Sequence, residues 1–110
     1  MKHVTYAEKS LLMDDTLVAL LMEYARLVAS AGEGDTVDLP AVGSDGHEVV
    51  ATFLLTPATV LMAESADSAM RPPTDVGVEA DLRKRIRRLS ATNLALPEED
   101  GPIGIDDELS

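Results

Sequence analysis

The sequence predicts a small α+β domain, in which one long helix packs on a mostly antiparallel sheet of three to four strands and a second, basic amphipathic helix follows. Three observations favour this class. Several short segments alternate apolar and polar residues with the period of strands, residues 14–31 have apolar side chains at helical spacing, and cations concentrate at residues 83–88. The predicted order is strand, helix, hairpin, fourth strand and basic helix.

The first strand is predicted at Val4 and Tyr6, which alternate with other residue types. Asp14 and Asp15 supply cap candidates and negative charge for the helix that follows, and Gly32 can end it. The conventional buried face of this helix comprises Leu17, Leu20, Leu21, Tyr24, Leu27 and Val28.

Further apolar residues widen that face beyond what one small sheet can cover. They bury either against the sheet or against a second copy of the chain, and we expect a homodimer. The expected oligomer interface combines them with the apolar stripe of the basic helix: Val18, Met22, Ala25, Ala29, Leu82, Ile86 and Leu89.

Two further strands are predicted at 36–41 and 48–55, joined by a hairpin at 43–46, where two glycines supply the backbone angles of a tight reversal. Pro40 lacks a ladder donor, so its strand is expected at an edge or with a bulge. Residues 60–64 fit a returning strand or, alternatively, a short helix capped by Thr56. We favour the strand.

The chain divides into four predicted segments. Residues 1–65 form an α+β core domain, 66–74 a linker that contains Pro72-Pro73, 75–93 the basic amphipathic helix, and 94–110 an acidic tail. The tail combines two prolines and two glycines with six acids, so it is expected to be disordered when alone.

Composition restricts the classes of function. The net charge is −11, but residues 79–96 carry +3 and the remainder −14. With no cysteine, no signal-like N-terminus and no apolar run long enough to cross a bilayer, the chain is expected to be soluble and cytoplasmic, without membrane contact.

Catalytic and metal-binding patterns are absent from the sequence. There is no nucleophile with a suitable base and acid, no phosphate-binding glycine loop, and no spacing of His3 and His47 that suits a metal. We therefore expect no enzyme activity, no cofactor, no metal and no small-molecule ligand.

The basic cluster, defined as Arg83, Lys84, Arg85, Arg87 and Arg88, is the predicted partner-binding site. Helix stabilisation explains part of it, because Glu79 and Asp81 stand four residues before Arg83 and Arg85. Helix stabilisation does not account for Lys84, Arg87 and Arg88, which are expected to bind acidic groups. A protein partner or a second copy is expected, in an adaptor, immunity or antitoxin-like role; nucleic acid is the alternative, although no aromatic residue interleaves with the cluster.

Residues 1–6, 14–31 and 53–59 resemble small, uncharacterised acidic proteins encoded by high-GC actinobacteria. The resemblance covers about residues 1–65 and implies no activity. Residues 100–105 (Asp-Gly-Pro-Ile-Gly-Ile) resemble the C-terminal cargo-loading peptides of encapsulin shells, although Pro102 and the acids that follow depart from them. This second resemblance implies, as a weaker alternative, a cargo or docking role for the tail.

Overall fold

The computed structural model describes residues 1–6 and 9–95. These residues form one five-stranded antiparallel sheet and two helices, which confirms the α+β class. The elements in chain order are β1 (Lys2–Tyr6), β2 (Lys9–Met13), α1 (Asp15–Ala31), β3 (Asp35–Val42), β4 (Glu48–Leu55), β5 (Leu61–Ser65) and α2 (Val76–Ala95).

The prediction of three to four strands is wrong, because β2 was missed. Its consecutive residues Leu11, Leu12 and Met13 are all apolar, so they lack the alternation that indicates a strand with one exposed face. Met13 is completely buried, and Leu11 and Leu12, which point to opposite faces of the sheet, are both partly buried. For residues 60–64 the strand interpretation is the one found, as β5.

The sheet has the strand order β4-β3-β2-β1-β5. β3 and β4 pair along their full length, from Asp35 opposite Leu55 to Val42 opposite Glu48. In contrast, β2 meets β3 at one pair, Leu12 with Val42. The sheet therefore consists of the β3–β4 hairpin and the group β2-β1-β5. Within the described residues, most of the β3 edge that faces β2 has no strand beside it.

Two hydrogen bonds show to which side the backbone N–H and C=O groups of the β3–β4 hairpin point. The carbonyl of Leu54 accepts a hydrogen bond from the Tyr6 hydroxyl at 2.8 Å, and the carbonyl of Thr36, its register partner, accepts one from Arg85 at 3.0 Å. The backbone N–H and C=O groups of successive strand residues point to opposite sides of the strand. Those of the even-numbered residues in β3 therefore point away from β4, and those of the even-numbered residues in β4 point away from β3. Pro40 thus lacks its N–H donor on the side of β3 where no described strand pairs with it, which explains why an internal strand tolerates it.

The first helix begins and ends where local chemistry predicts. The Asp14 carboxylate accepts hydrogen bonds from the backbone N–H groups of Thr16 and Leu17 at 3.0 and 3.3 Å. Gly32 ends the helix at φ 68°, a left-handed conformation that side chains rarely adopt.

Both helices pack into one core with the inward face of the sheet. The α1 side chains Leu17, Val18 and Leu21 are fully buried, and Leu82 and Leu89 bring α2 into the same cluster. No helix within the described ranges is long and apolar enough to cross a membrane.

Candidate partner-binding surface

The basic cluster lies on α2, which directs its members to different surroundings. Arg85 faces the body of the protein. Its guanidinium donates to the Asp35 carboxylate at 2.8 Å and to the Thr36 carbonyl at 3.0 Å, and it pairs with Asp81 at 2.8 Å. Tyr24 of α1 donates its hydroxyl to the same Asp35 carboxylate. Arg85 therefore joins both helices to the start of β3.

The electrostatics of this network follow from burial and hydrogen bonding. Burial by itself raises the pKa of Asp35, but the Tyr24 hydroxyl, the Thr36 N–H and the Arg85 charge outweigh it and lower this pKa overall. Burial and the neighbouring Asp35 carboxylate raise the pKa of Tyr24. The Arg85 pKa is reduced by burial, yet the charges of Asp35 and Asp81 raise it overall. At neutral pH the network is an ion pair supported by a neutral phenol.

The other cations lie on exposed parts of α2. Arg83 approaches Glu79 at 3.9 Å, so both i,i+4 pairs predicted from spacing are found, although this one is long. Lys84 and Arg87 are exposed, and neither has an ion-pair partner within 4.0 Å among the residues that the structure describes. Arg88 is also exposed. The cluster is thus divided into a cation used by the fold and cations that face outward.

The seven residues expected at an oligomer interface have different locations. Val18, Leu82 and Leu89 are buried inside the single chain, Met22, Ala25 and Ile86 are partly buried against the same core, and Ala29 is exposed. The wide apolar face of α1 is therefore covered largely by α2. Dimerisation stays a prediction, but these buried side chains already have partners within the chain.

Asp35 and Tyr24 belong to the site although no pattern in the sequence indicates it. Asp35 stands alone between Gly34 and the strand residues that follow, and it is 50 positions from Arg85. Tyr24 was assigned to the buried face of α1, where it does lie, but its hydroxyl had no visible partner in the sequence. No spacing pattern links these residues, so their meeting depends on the docking of α2.

Away from α2, an open cleft of 420 Å³ lies between the β1–β2 hairpin and the β3–β4 hairpin. Its apolar wall includes Tyr6, Leu11 and Phe53, and Lys9 stands at its rim. At the tip of the β3–β4 hairpin, the Asp45 carboxylate accepts a hydrogen bond from the backbone N–H of His47 at 3.0 Å, and it lies 3.1 Å from Nδ1 of the His47 ring. In residues 1–6 and 9–95 no three acidic or histidine side chains gather as a metal site would require.

The predicted acidic tail and its cargo-type segment lie outside the described residues, apart from the end of α2. Comparison of the chain with protein-family models, with curated proteins and with solved structures gave no match.

Proposed function

We propose that this chain is a small, non-catalytic acidic protein that acts in the cytoplasm by binding another protein, in an adaptor, immunity or antitoxin-like role. The proposed binding element is the outward side of α2. The observation that carries the proposal is the division of the basic cluster: Arg85 is engaged by Asp35 and Asp81, whereas Lys84 and Arg87 are exposed without an ion pair in the part of the chain that the structure describes.

The spacing of these cations supports a single binding face. Residues three and four apart are neighbours on a helix surface, so Arg83, Lys84 and Arg87 lie side by side. Arg83 holds its acid only at 3.9 Å and is about half exposed, so it too is available to an incoming carboxylate. Three adjacent cations suit an acidic protein surface, because guanidinium groups bind carboxylates in a bidentate manner.

Nucleic acid is the second candidate, supported by the same exposed cations. One feature favours protein instead: α2 has no aromatic residue on which a base could stack. The net charge of −11 opposes the long-range approach of any anionic partner, so it does not separate the two candidates. The protein partner is either a different acidic protein or another copy of this chain, whose own body supplies acid.

Binding measured against defined probes tests the proposal. The probes are a polyglutamate peptide, which represents an acidic protein surface, and a short DNA duplex, each titrated at low and at near-physiological salt. The test variant is Lys84→Gln with Arg87→Gln. Its matched control is Lys9→Gln with Arg71→Gln, which removes the same charge from exposed positions elsewhere.

We expect the wild type to bind the peptide at low salt, and the α2 variant to lose about tenfold in affinity while the control stays within about twofold. Circular dichroism establishes that both variants fold. The proposal fails if the peptide does not bind, if both variants weaken it equally, or if the duplex binds more tightly than the peptide.

A further inference from the structure

The outer edge of β4 is a long strand edge with no described strand beside it. β4 is eight residues long and reads Glu-Val-Val-Ala-Thr-Phe-Leu-Leu, with no Lys, Arg or Pro. Val50 is 72% exposed and Val49 39% exposed. Edges of this kind pair readily with another strand, and natural proteins usually protect them with prolines, cations or covering segments.

The backbone of β4 shows which groups this edge presents. The Leu54 carbonyl points away from β3, since it accepts hydrogen bonds from Tyr6 and from the Thr59 hydroxyl. Because direction alternates along a strand, the N–H and C=O groups of Glu48, Val50 and Thr52 also point outward. Tyr6 and Thr59 bind the edge at its Leu54 end. The outward backbone groups of Glu48, Val50 and Thr52 make up the rest of the edge.

Other unpaired edges of this sheet carry protection. Along β3, Pro40 has no donor to offer and Arg85 binds the Thr36 carbonyl. The opposite edge strand, β5, is only five residues long and contains Glu64. β4 has Glu48 at its first position, but its residues 49–52 are Val-Val-Ala-Thr, with no charged side chain and no proline, which makes this segment the best candidate for strand addition.

We propose that a second copy of the chain pairs with this edge, antiparallel, about a two-fold axis at Val50. In that register Val50 faces Val50 of the second copy, and Glu48 faces Thr52 in both directions. All three outward residues then form hydrogen-bonded pairs, which supplies six backbone hydrogen bonds. On the opposite face, Val49 meets Ala51, so the apolar side chains at the edge cover one another.

A second copy is favoured over an unrelated segment because the edge is self-complementary. Glu48 is the sole charged residue of β4, and this register keeps the two Glu48 side chains four residues apart, roughly 14 Å at the rise of a strand. A parallel pairing in register would instead bring like charges into contact. A two-fold axis also closes the assembly at a dimer, as most soluble homo-oligomers do.

The charges predict how this dimer responds to salt. Each Glu48 lies across from a Thr52 whose hydroxyl donates to Asp38 at 2.6 Å, so carboxylates of the two copies approach each other. The copies also carry −11 each. Added salt screens this repulsion and tightens the dimer, whereas it weakens binding through the α2 cations. The dimer does not depend on the function proposed for α2, and its test separates the two.

Sedimentation equilibrium up to about 500 µM, at low and at high salt, measures the association, which a small interface makes weak. We expect a dimer that tightens several-fold with salt. Val50→Pro removes an outward N–H that β3 does not use and should weaken the dimer at least about tenfold. Its control, Val50→Thr, keeps that donor and should stay within about threefold.

Glu48→Lys provides a second variant at an exposed position. It replaces the repulsion from Asp38 of the second copy with attraction, so it should tighten the dimer several-fold at low salt. A wild type that stays monomeric at the highest concentration overturns the inference, as does a dimer that Val50→Pro and Glu48→Lys leave unchanged. Lys84→Gln with Arg87→Gln should not weaken this dimer, and a loss of dimer in that variant would place the interface on α2 instead.

Discussion

Replacing Arg85 with Met tests whether one cation of the basic cluster holds α2 on the body of the protein. Met keeps an unbranched apolar stem of similar length but removes every donor. The substitution deletes the hydrogen bonds to the Asp35 carboxylate and to the Thr36 carbonyl, and the ion pair with Asp81. It also leaves Asp35 with Tyr24 as its remaining side-chain donor within the described network.

The expected loss can be estimated contact by contact. The i,i+4 pair with Asp81 contributes about 0.4 kcal/mol. The Asp35 side chain is 35% exposed and that of Arg85 26%, so solvent reduces their charged hydrogen bond to about 1 kcal/mol. The Thr36 carbonyl of β3 loses its hydrogen bond from Arg85, which lowers the free energy of unfolding by about another 1 kcal/mol. Together these give a decrease of about 2 kcal/mol in the free energy of unfolding.

Urea unfolding followed by circular dichroism measures this decrease, with Arg87→Met as the matched control. The midpoint for Arg85→Met should fall at an unchanged m-value, and Tm should drop by roughly 8 °C. The control removes an exposed cation and should stay within about 0.5 kcal/mol of the wild type. If the two variants are equally stable, or if Arg85→Met changes stability by less than about 0.5 kcal/mol, the network does not stabilise the docked helix.

Two further predictions concern the same packing. Asp35 has a lowered pKa in the folded state, so its stabilising effect is complete above the unfolded pKa of about 3.9 and disappears as the pH falls through the lower folded value. Asp35→Asn should therefore unfold more easily at pH 7 and show a smaller loss of stability on acidification than the wild type; parallel acid curves would contradict this. Leu82 is 1% exposed on α2, so Leu82→Ala should lose about 2 to 5 kcal/mol, whereas Lys84→Ala on the same helix should change little. Urea titrations compare the two, and similar stabilities would mean that α2 contributes little to the core.

The parts of the fold set by local chemistry could be predicted from the sequence. Asp14 and Gly32 mark the start and the end of α1, because an N-terminal cap and a left-handed C-terminal residue depend only on residues close in the chain. The β3–β4 hairpin follows from alternation around a glycine-containing turn, with Gly46 at φ 86°. By contrast, β2 has no alternation to detect, since its apolar residues Leu11, Leu12 and Met13 are consecutive.

The candidate site was predictable only in composition. The sequence identified the cations of α2, but it could not assign Arg85 to the fold, because its partner Asp35 is 50 residues away and meets it only after α2 docks. The same docking explains why a homodimer was inferred from the apolar width of α1. The apolar face of α1 is as wide as the sequence indicates, but α2 of the same chain covers much of it, with Leu82 and Leu89 buried in the shared core.

Helical periodicity explains why one cluster is divided between the docked side and the outward side of α2. Five cations within six residues span more than one full turn of the helix, so they cannot all share a face. Leu82, Arg85 and Leu89 recur at the spacing of the docked side, and Lys84 and Arg87 fall between them, directed outward. The cation that contacts the body of the protein and the cations of the proposed binding face are therefore different residues of one helix. Substitutions at Arg85 should change unfolding with little effect on the outward face, and substitutions at Lys84 and Arg87 should do the reverse.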